Sequence, residues 1–94
     1  DLSEKIAKYL EQEKPFLNPD FSISDIYIHF KVPKNHISYC VNTIMGTRFS
    51  KMKSELRVRH AIELLQSGLS NSLTIEAIGQ RSGFRTRSHF YAAF

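Results

Sequence analysis

The longest run of helical periodicity in the chain is 49–67, FSKMKSELRVRHAIELLQS, which reads as one continuous helix. Advancing by about 100° per residue, Phe49, Met52 and Leu56 gather on one face, whereas Val58, Ala61, Ile62 and Leu65 gather roughly 160° away. The apolar stripe changes sides halfway along. A helix that serves one core carries one stripe, so the first half is expected to pack into one small body and the second half into another.

The stretches on either side are shorter. Residues 2–13 form an amphipathic helix with Leu2, Ile6, Tyr9 and Leu10 on a shared face and Ser3 as its N-cap. In 14–20, KPFLNPD, two prolines and Asn18 exclude regular structure, while Phe16 and Leu17 can pin the connector to a core. Ser22 and Asp25 have the spacing of a capping box and open a helix that reaches Phe30. Pro33 breaks it and suits the first turn of the next, over 34–45, whose Ile37, Cys40, Val41 and Ile44 point inward and which Gly46 ends. Beyond the long helix, Gly68 is its C-cap and LSNS, 69–72, is a polar loop. Thr74 caps a helix over 75–82, Gly83 and Phe84 turn the chain, and Thr86 or Ser88 begins a helix that runs to the end.

These two flanks repeat each other. Ile26 matches Ile78, Val32 matches Phe84 and Ile37 matches Phe90, at offsets of 52, 52 and 53. Each flank is a short helix, a turn and a second helix, the helix-turn-helix layout. At 1.5 Å rise per residue, a helix over 49–67 is roughly 28 Å long, against about 34 Å between successive major grooves on one side of a duplex. A helix of that length suits two reading helices set into adjacent grooves.

Composition adds constraints. With 41% apolar and 12% aromatic residues the chain can bury a core, yet a chain of this size buries only roughly 60 to 65% of its surface, so two half-size bodies would be marginal separately. No apolar run approaches the roughly 20 residues a membrane span needs. A single cysteine, Cys40, allows no internal disulfide, and its apolar register makes it a small buried hydrophobe. The chain starts at Asp1 and stops at Phe94 within an apolar-patterned segment, so it reads as a piece of something longer. The net charge of +4 is unevenly placed. Residues 1–47 carry five Lys/Arg against six Asp/Glu, and 48–94 carry eight against three. A basic second half is what a solubilising surface gives, and it also suits a nucleic-acid partner.

The patterns Arg57-x-x-x-Ala61-x-x-Leu64-Leu65 and Ile75-x-x-Ile78-Gly79-x-x-Ser82-Gly83-Phe84-x-x-x-Ser88-x-Phe90, with the similar SISDIYIHFKVPKNHIS of 22–38, resemble the DNA-binding domain of the AraC/XylS family of bacterial transcription regulators. The resemblance covers about 16–94. Tyr27 stands where a small residue is usual, Lys31 where glycine is usual, and Ala92 where many relatives have a base-contacting arginine. The resemblance implies an all-α domain of seven helices: two homeodomain-like helix-turn-helix subdomains, about 1–47 and 68–94, joined by a linker helix at about 48–67, with the last helix of the family motif falling beyond Phe94. It implies two recognition helices, about 34–45 and 86–94, in adjacent major grooves. The first would present Lys34, Asn35, Ser38 and Tyr39 to base edges and the second Arg87, Ser88, His89 and Tyr91, with Lys34, Arg48, Lys51, Arg85 and Thr86 on phosphates. The partners implied are double-stranded DNA, RNA polymerase and a sensor or dimerisation domain elsewhere in the regulator. The implied setting is the bacterial cytoplasm at the nucleoid, and the entry EKPFLNPDFS is similar to that of relatives attached to larger, sometimes membrane-anchored, regulators.

Side-chain chemistry agrees. Arg87 can grip guanine O6 and N7, Asn35 can do the same for adenine, and Ser38, Ser88 and His89 offer shorter polar contacts. Lysine and arginine on phosphates position without reading sequence. Arg57 and Arg59 flank the apolar stripe, and Arg57 is expected to form an internal ion pair or to cap carbonyls. Catalysis finds no foothold: there is no phosphate-cradling glycine loop, nucleophile elbow or placed carboxylate pair. His36 and Cys40 have chelating spacing, but structural zinc needs four ligands, and His29, His60 and His89 are scattered. No metal, cofactor or enzymatic activity is expected. The alternative reading is a helical protein-interaction or effector-sensing module that does not read DNA.

Overall fold

The structure, a computed structural model, describes residues 1–68 and 73–94; the polar loop 69–72 lies outside the described residues. Among the described residues are six α-helices and no strand: α1 (Leu2–Glu13), α2 (Ile23–Phe30), α3 (Lys34–Tyr39), α4 (Phe49–Gln66), α5 (Ile75–Arg81) and α6 (Arg87–Ala93). The expected all-α class is observed. The chain divides into two compact units, one made of Asp1–Pro15 and Asp20–Met52, the other of Phe16–Pro19 and Lys53–Phe94. The division falls between Met52 and Lys53, so Leu56, expected beside Phe49 and Met52, belongs to the second unit.

In the first unit, Asp1 rather than Ser3 caps α1, its carboxylate accepting the Ser3 N–H at 3.1 Å. Ser3 is already the second residue of α1, two positions past the cap, and is buried. Ile6 and Leu10 bury the inner face, and the Tyr9 ring stacks on His29 at 4.2 Å and meets Phe30 edge-on at 5.6 Å. Burial first, then the charges of Glu13 and Asp25, push the Tyr9 hydroxyl above its ordinary pKa. After the left-handed Lys14, Pro15–Leu17 forms a 3₁₀ turn instead of the expected irregular connector, because proline presets the backbone for a first helical turn. The Asp25 carboxylate accepts the Ser22 N–H at 2.8 Å, the backward half of the capping box. Ile26, Ile37, Cys40 and Val41 close the core, and Phe21 packs 5.4 Å from Phe49.

Two backbone features shape the helix-turn-helix of this unit. Lys31 ends α2 at φ +55°, where the Val32 N–H reaches Tyr27 O at 3.2 Å. At its far end α3 widens into a π turn over Cys40–Ile44, with the Met45 N–H on Cys40 O, five residues back, at 2.8 Å. Gly46 at φ +69° and the Thr47 N–H on Val41 O then stop it. Ile44, expected inward, is 54% exposed. A wide turn takes more residues per rotation, so three positions past Val41 no longer return to the inner face.

The second unit packs Ala61, Ile78, Phe84 and Phe90 together, with Val58, Leu64, Leu65, Leu73 and Ala93 against them. Ile62 was expected among these but lies one residue round from Ala61 and is 38% exposed. Thr74 and Thr86 cap α5 and α6, their hydroxyl oxygens accepting the Ala77 and His89 N–H groups at 3.1 Å each. Between them, Ser82 is fully buried, donating to Ile78 O at 2.8 Å and lying 3.2 Å from His60 Nδ1. Gly83 adopts φ +100°, and a Cβ there would collide with Phe16 O and come within 2.7 Å of Arg57 Nε. That closeness marks the polar centre of the unit. Arg57, only 7% exposed, donates from Nε to Phe16 O at 2.7 Å and from Nη2 to Asn18 O at 3.0 Å, with its guanidinium 5.9 Å from the Phe84 centroid. Of the two roles expected for Arg57, the structure has the carbonyl cap. Burial pushes its pKa below the ordinary arginine value.

Two stability predictions follow from these local geometries. Arg57→Ala should lower the unfolding free energy by about 2–4 kcal/mol, because it strands carbonyls that a charged donor satisfied. Arg57→Lys should recover less than half of that, since an ammonium lacks the planar fork; urea denaturation followed by circular dichroism checks both, and full recovery by lysine would refute the fork's role. Lys31→Gly should raise stability by up to about 1 kcal/mol, the left-handed strain of a side chain outweighing glycine's extra freedom in the unfolded chain. Lys31→Val should lower it, and thermal melts of the two variants decide.

Candidate nucleic-acid interface

In the first unit the outward surface of α3 follows from how the helix buries its other side. Ile37, Cys40 and Val41 face the core, so Lys34 and Asn35, at the exposed start of the helix, and Tyr39, 59% exposed, are turned outward, with Ser38 half-buried at the margin. Pro33 in extended backbone sets the entry to the helix, and the His36 N–H bonds Pro33 O at 3.0 Å. Ser38 also lines an open depression with Asn42, Thr47, Arg48, Ser50 and Lys51. The first N–H groups of α4 have no earlier carbonyl of their own helix to bond, and the helix dipole adds positive potential there. Arg48 and Lys51, both exposed, supply full charges beside it.

Asn42, Thr47 and Ser50 are polar residues of this surface that sequence reasoning missed. Asn42 follows Ser38 by four residues and Asn35 by seven, a helical repeat that would have placed it on the outward face. Thr47 and Ser50 flank the start of α4, a position that becomes meaningful only once the depression is seen.

The second unit presents α6 in the same manner. Phe90 is buried and Ala93 half-buried, leaving Arg87, Ser88, Tyr91 and Ala92 on the outward side. By helical spacing Arg87, Ser88 and Tyr91 share one face, whereas His89 stands about 200° round from Arg87; it is exposed but lies apart from them. The Arg87 Nη1 donates to Glu76 Oε1 of α5 at 2.9 Å, and its guanidinium carbon lies 5.3 Å from the Tyr91 centroid. Glu76 is the other residue that sequence reasoning passed over. No spacing rule links positions on two helices across a turn. Arg85, in the turn before α6, is exposed, and Thr86 uses its hydroxyl oxygen as the helix cap.

The chemistry of the two surfaces is that of hydrogen-bond donors and cations on rigid, capped helices. Among the described residues, no group of three or more His, Cys, Asp or Glu gathers to hold a metal ion. No helix among them is long and apolar enough to cross a membrane. No curated protein and no solved structure matches the chain. A family model described as a helix-turn-helix domain matches residues 18–94, most of the chain and every α-helix after α1. The chain therefore belongs to the AraC/XylS family of transcription regulators, of which it carries the helix-turn-helix DNA-binding domain.

Proposed function

We propose that the protein binds double-stranded DNA sequence-specifically, with α3 and α6 as reading helices in adjacent major grooves and α4 as the linker that sets their spacing. The observation that carries this reading is the pair of outward faces, Lys34, Asn35, Ser38 and Tyr39 on α3 and Arg87, Ser88 and Tyr91 on α6, each on a short helix with a capped or proline-set start and a buried opposite side. Eighteen residues of α4 amount to roughly 27 Å of helix, of the order of one groove repeat.

In this reading Asn35 and Arg87 discriminate bases, since asparagine and arginine pair bidentately with adenine and guanine. His89 serves at the flank of the second face. Arg48 and Lys51, beside the positive end of α4, bind phosphate together with Lys34, Arg85 and the Thr86 hydroxyl; these contacts fix register and carry no sequence information. The regulator acts on transcription through RNA polymerase and through sensing or dimerisation functions carried outside these residues, in the bacterial cytoplasm.

Selection of bound duplexes from a random pool, followed by binding titrations over a salt series, tests the reading. Arg87→Ala should weaken the selected duplex by about 1–3 kcal/mol and relax preference at one base pair. Lys51→Ala should weaken selected and scrambled duplexes alike and flatten the log-log salt slope by roughly 0.9. Absent or salt-insensitive binding would favour a protein-interaction module instead. Two alanines inserted between Met52 and Lys53, where the units divide, should turn the two ends of α4 by about 200° relative to each other and abolish two-groove binding. Unchanged affinity and footprint after the insertion would remove the linker from the mechanism.

A further inference from the structure

The guanidinium of Arg87 is held on two sides. Nη1 donates to Glu76 Oε1 at 2.9 Å, and the Tyr91 ring, one helical turn on, backs the group with its centroid 5.3 Å from the guanidinium carbon. The Nε–Nη2 edge takes no partner among the described residues. That edge carries the parallel N–H pair which a bidentate acceptor requires.

Glu76 lies on α5, and Arg87 and Tyr91 on α6, so the contact locates the guanidinium relative to both helices of the unit. Both partners are more than half exposed. A pair so placed contributes little to folding, so its consequence is the posture of a long side chain that would otherwise sample many rotamers. Freezing those rotamers opposes binding, and a guanidinium already held loses fewer.

We propose that Glu76 is a positioning residue for Arg87, holding its guanidinium so that the Nε–Nη2 edge meets a base rather than a phosphate, and thereby setting the sequence selectivity of the second unit. This rests on the DNA-reading function proposed above. Arg87 makes the contact; Glu76 acts through it.

The test measures affinities for a selected duplex and a scrambled duplex of equal length with the unsubstituted protein, Glu76→Ala, Glu76→Gln, Arg87→Ala and the double variant. The ratio of the two affinities is expected to fall about threefold in Glu76→Ala, the size of effect an exposed pair carries. Glu76→Gln, whose amide oxygen still accepts from Nη1, should restore most of the ratio. Once Arg87 is gone, Glu76→Ala should leave the ratio where Arg87→Ala put it. A simple charge effect would raise affinity for both duplexes equally, with Gln behaving as Ala, and would overturn the proposal. If Arg87→Ala lowers the ratio and Glu76→Ala does not, positioning alone is wrong; if neither lowers it, base reading by Arg87 fails as well.

Discussion

A buried guanidinium satisfied by carbonyls is the constraint on which the second unit depends. Removing a full charge from water is costly, and Arg57 meets that cost with short hydrogen bonds to Phe16 O and Asn18 O. Three otherwise independent pieces thereby acquire fixed positions: α4, which carries the arginine, the Phe16–Pro19 loop, which supplies the acceptors, and the Gly83 turn, which packs against both. The turn in its course fixes where α6 begins. A seven-residue helix has almost no stability of its own, so its orientation is borrowed from that polar centre and from Phe90 in the core.

The first unit reaches a similar end by different means. There, α3 is oriented by Ile37, Cys40 and Val41 beneath it and by the tight exit of α2 at Lys31. Lysine in the left-handed region is an expensive way to make that turn, since glycine bears no such strain. The two units thus share a layout while differing in what stabilises their turns: backbone strain accommodated in one, a side-chain donor from another helix in the other.

Much of this architecture was readable from periodicity and capping chemistry, because both act over a few residues. The capping role of Thr74 and Thr86 and the Ser22–Asp25 pairing follow from neighbours within one turn of helix. Departures arose where a side chain's environment came from farther away or from altered helix pitch. Ile44 failed as a core residue because the π turn changed its direction, and Pro15–Leu17 coiled because proline suits a first turn as well as it breaks a helix. Arg57 was recognised as an internal group, but its acceptors lie some forty positions earlier in the chain, beyond any local rule. The outward faces of α3 and α6 were legible as residue types, yet Glu76 beside Arg87 was invisible until two helices met across a turn. The depression at the start of α4 likewise needs three separate stretches to be seen together.

The Phe16–Pro19 loop carries a consequence for the order of events during synthesis. Its carbonyls leave the ribosome well before Arg57, and before any other part of the unit to which they belong. A chain growing from its N-terminus therefore completes α1, α2 and α3 while the loop between α1 and α2 still awaits its partner. The first unit leaves Phe16–Pro19 out of its own contiguous sequence, and the second is incomplete until Arg57 emerges to meet those carbonyls. Neither unit is a contiguous stretch, so completing the second means joining segments made early and late in synthesis.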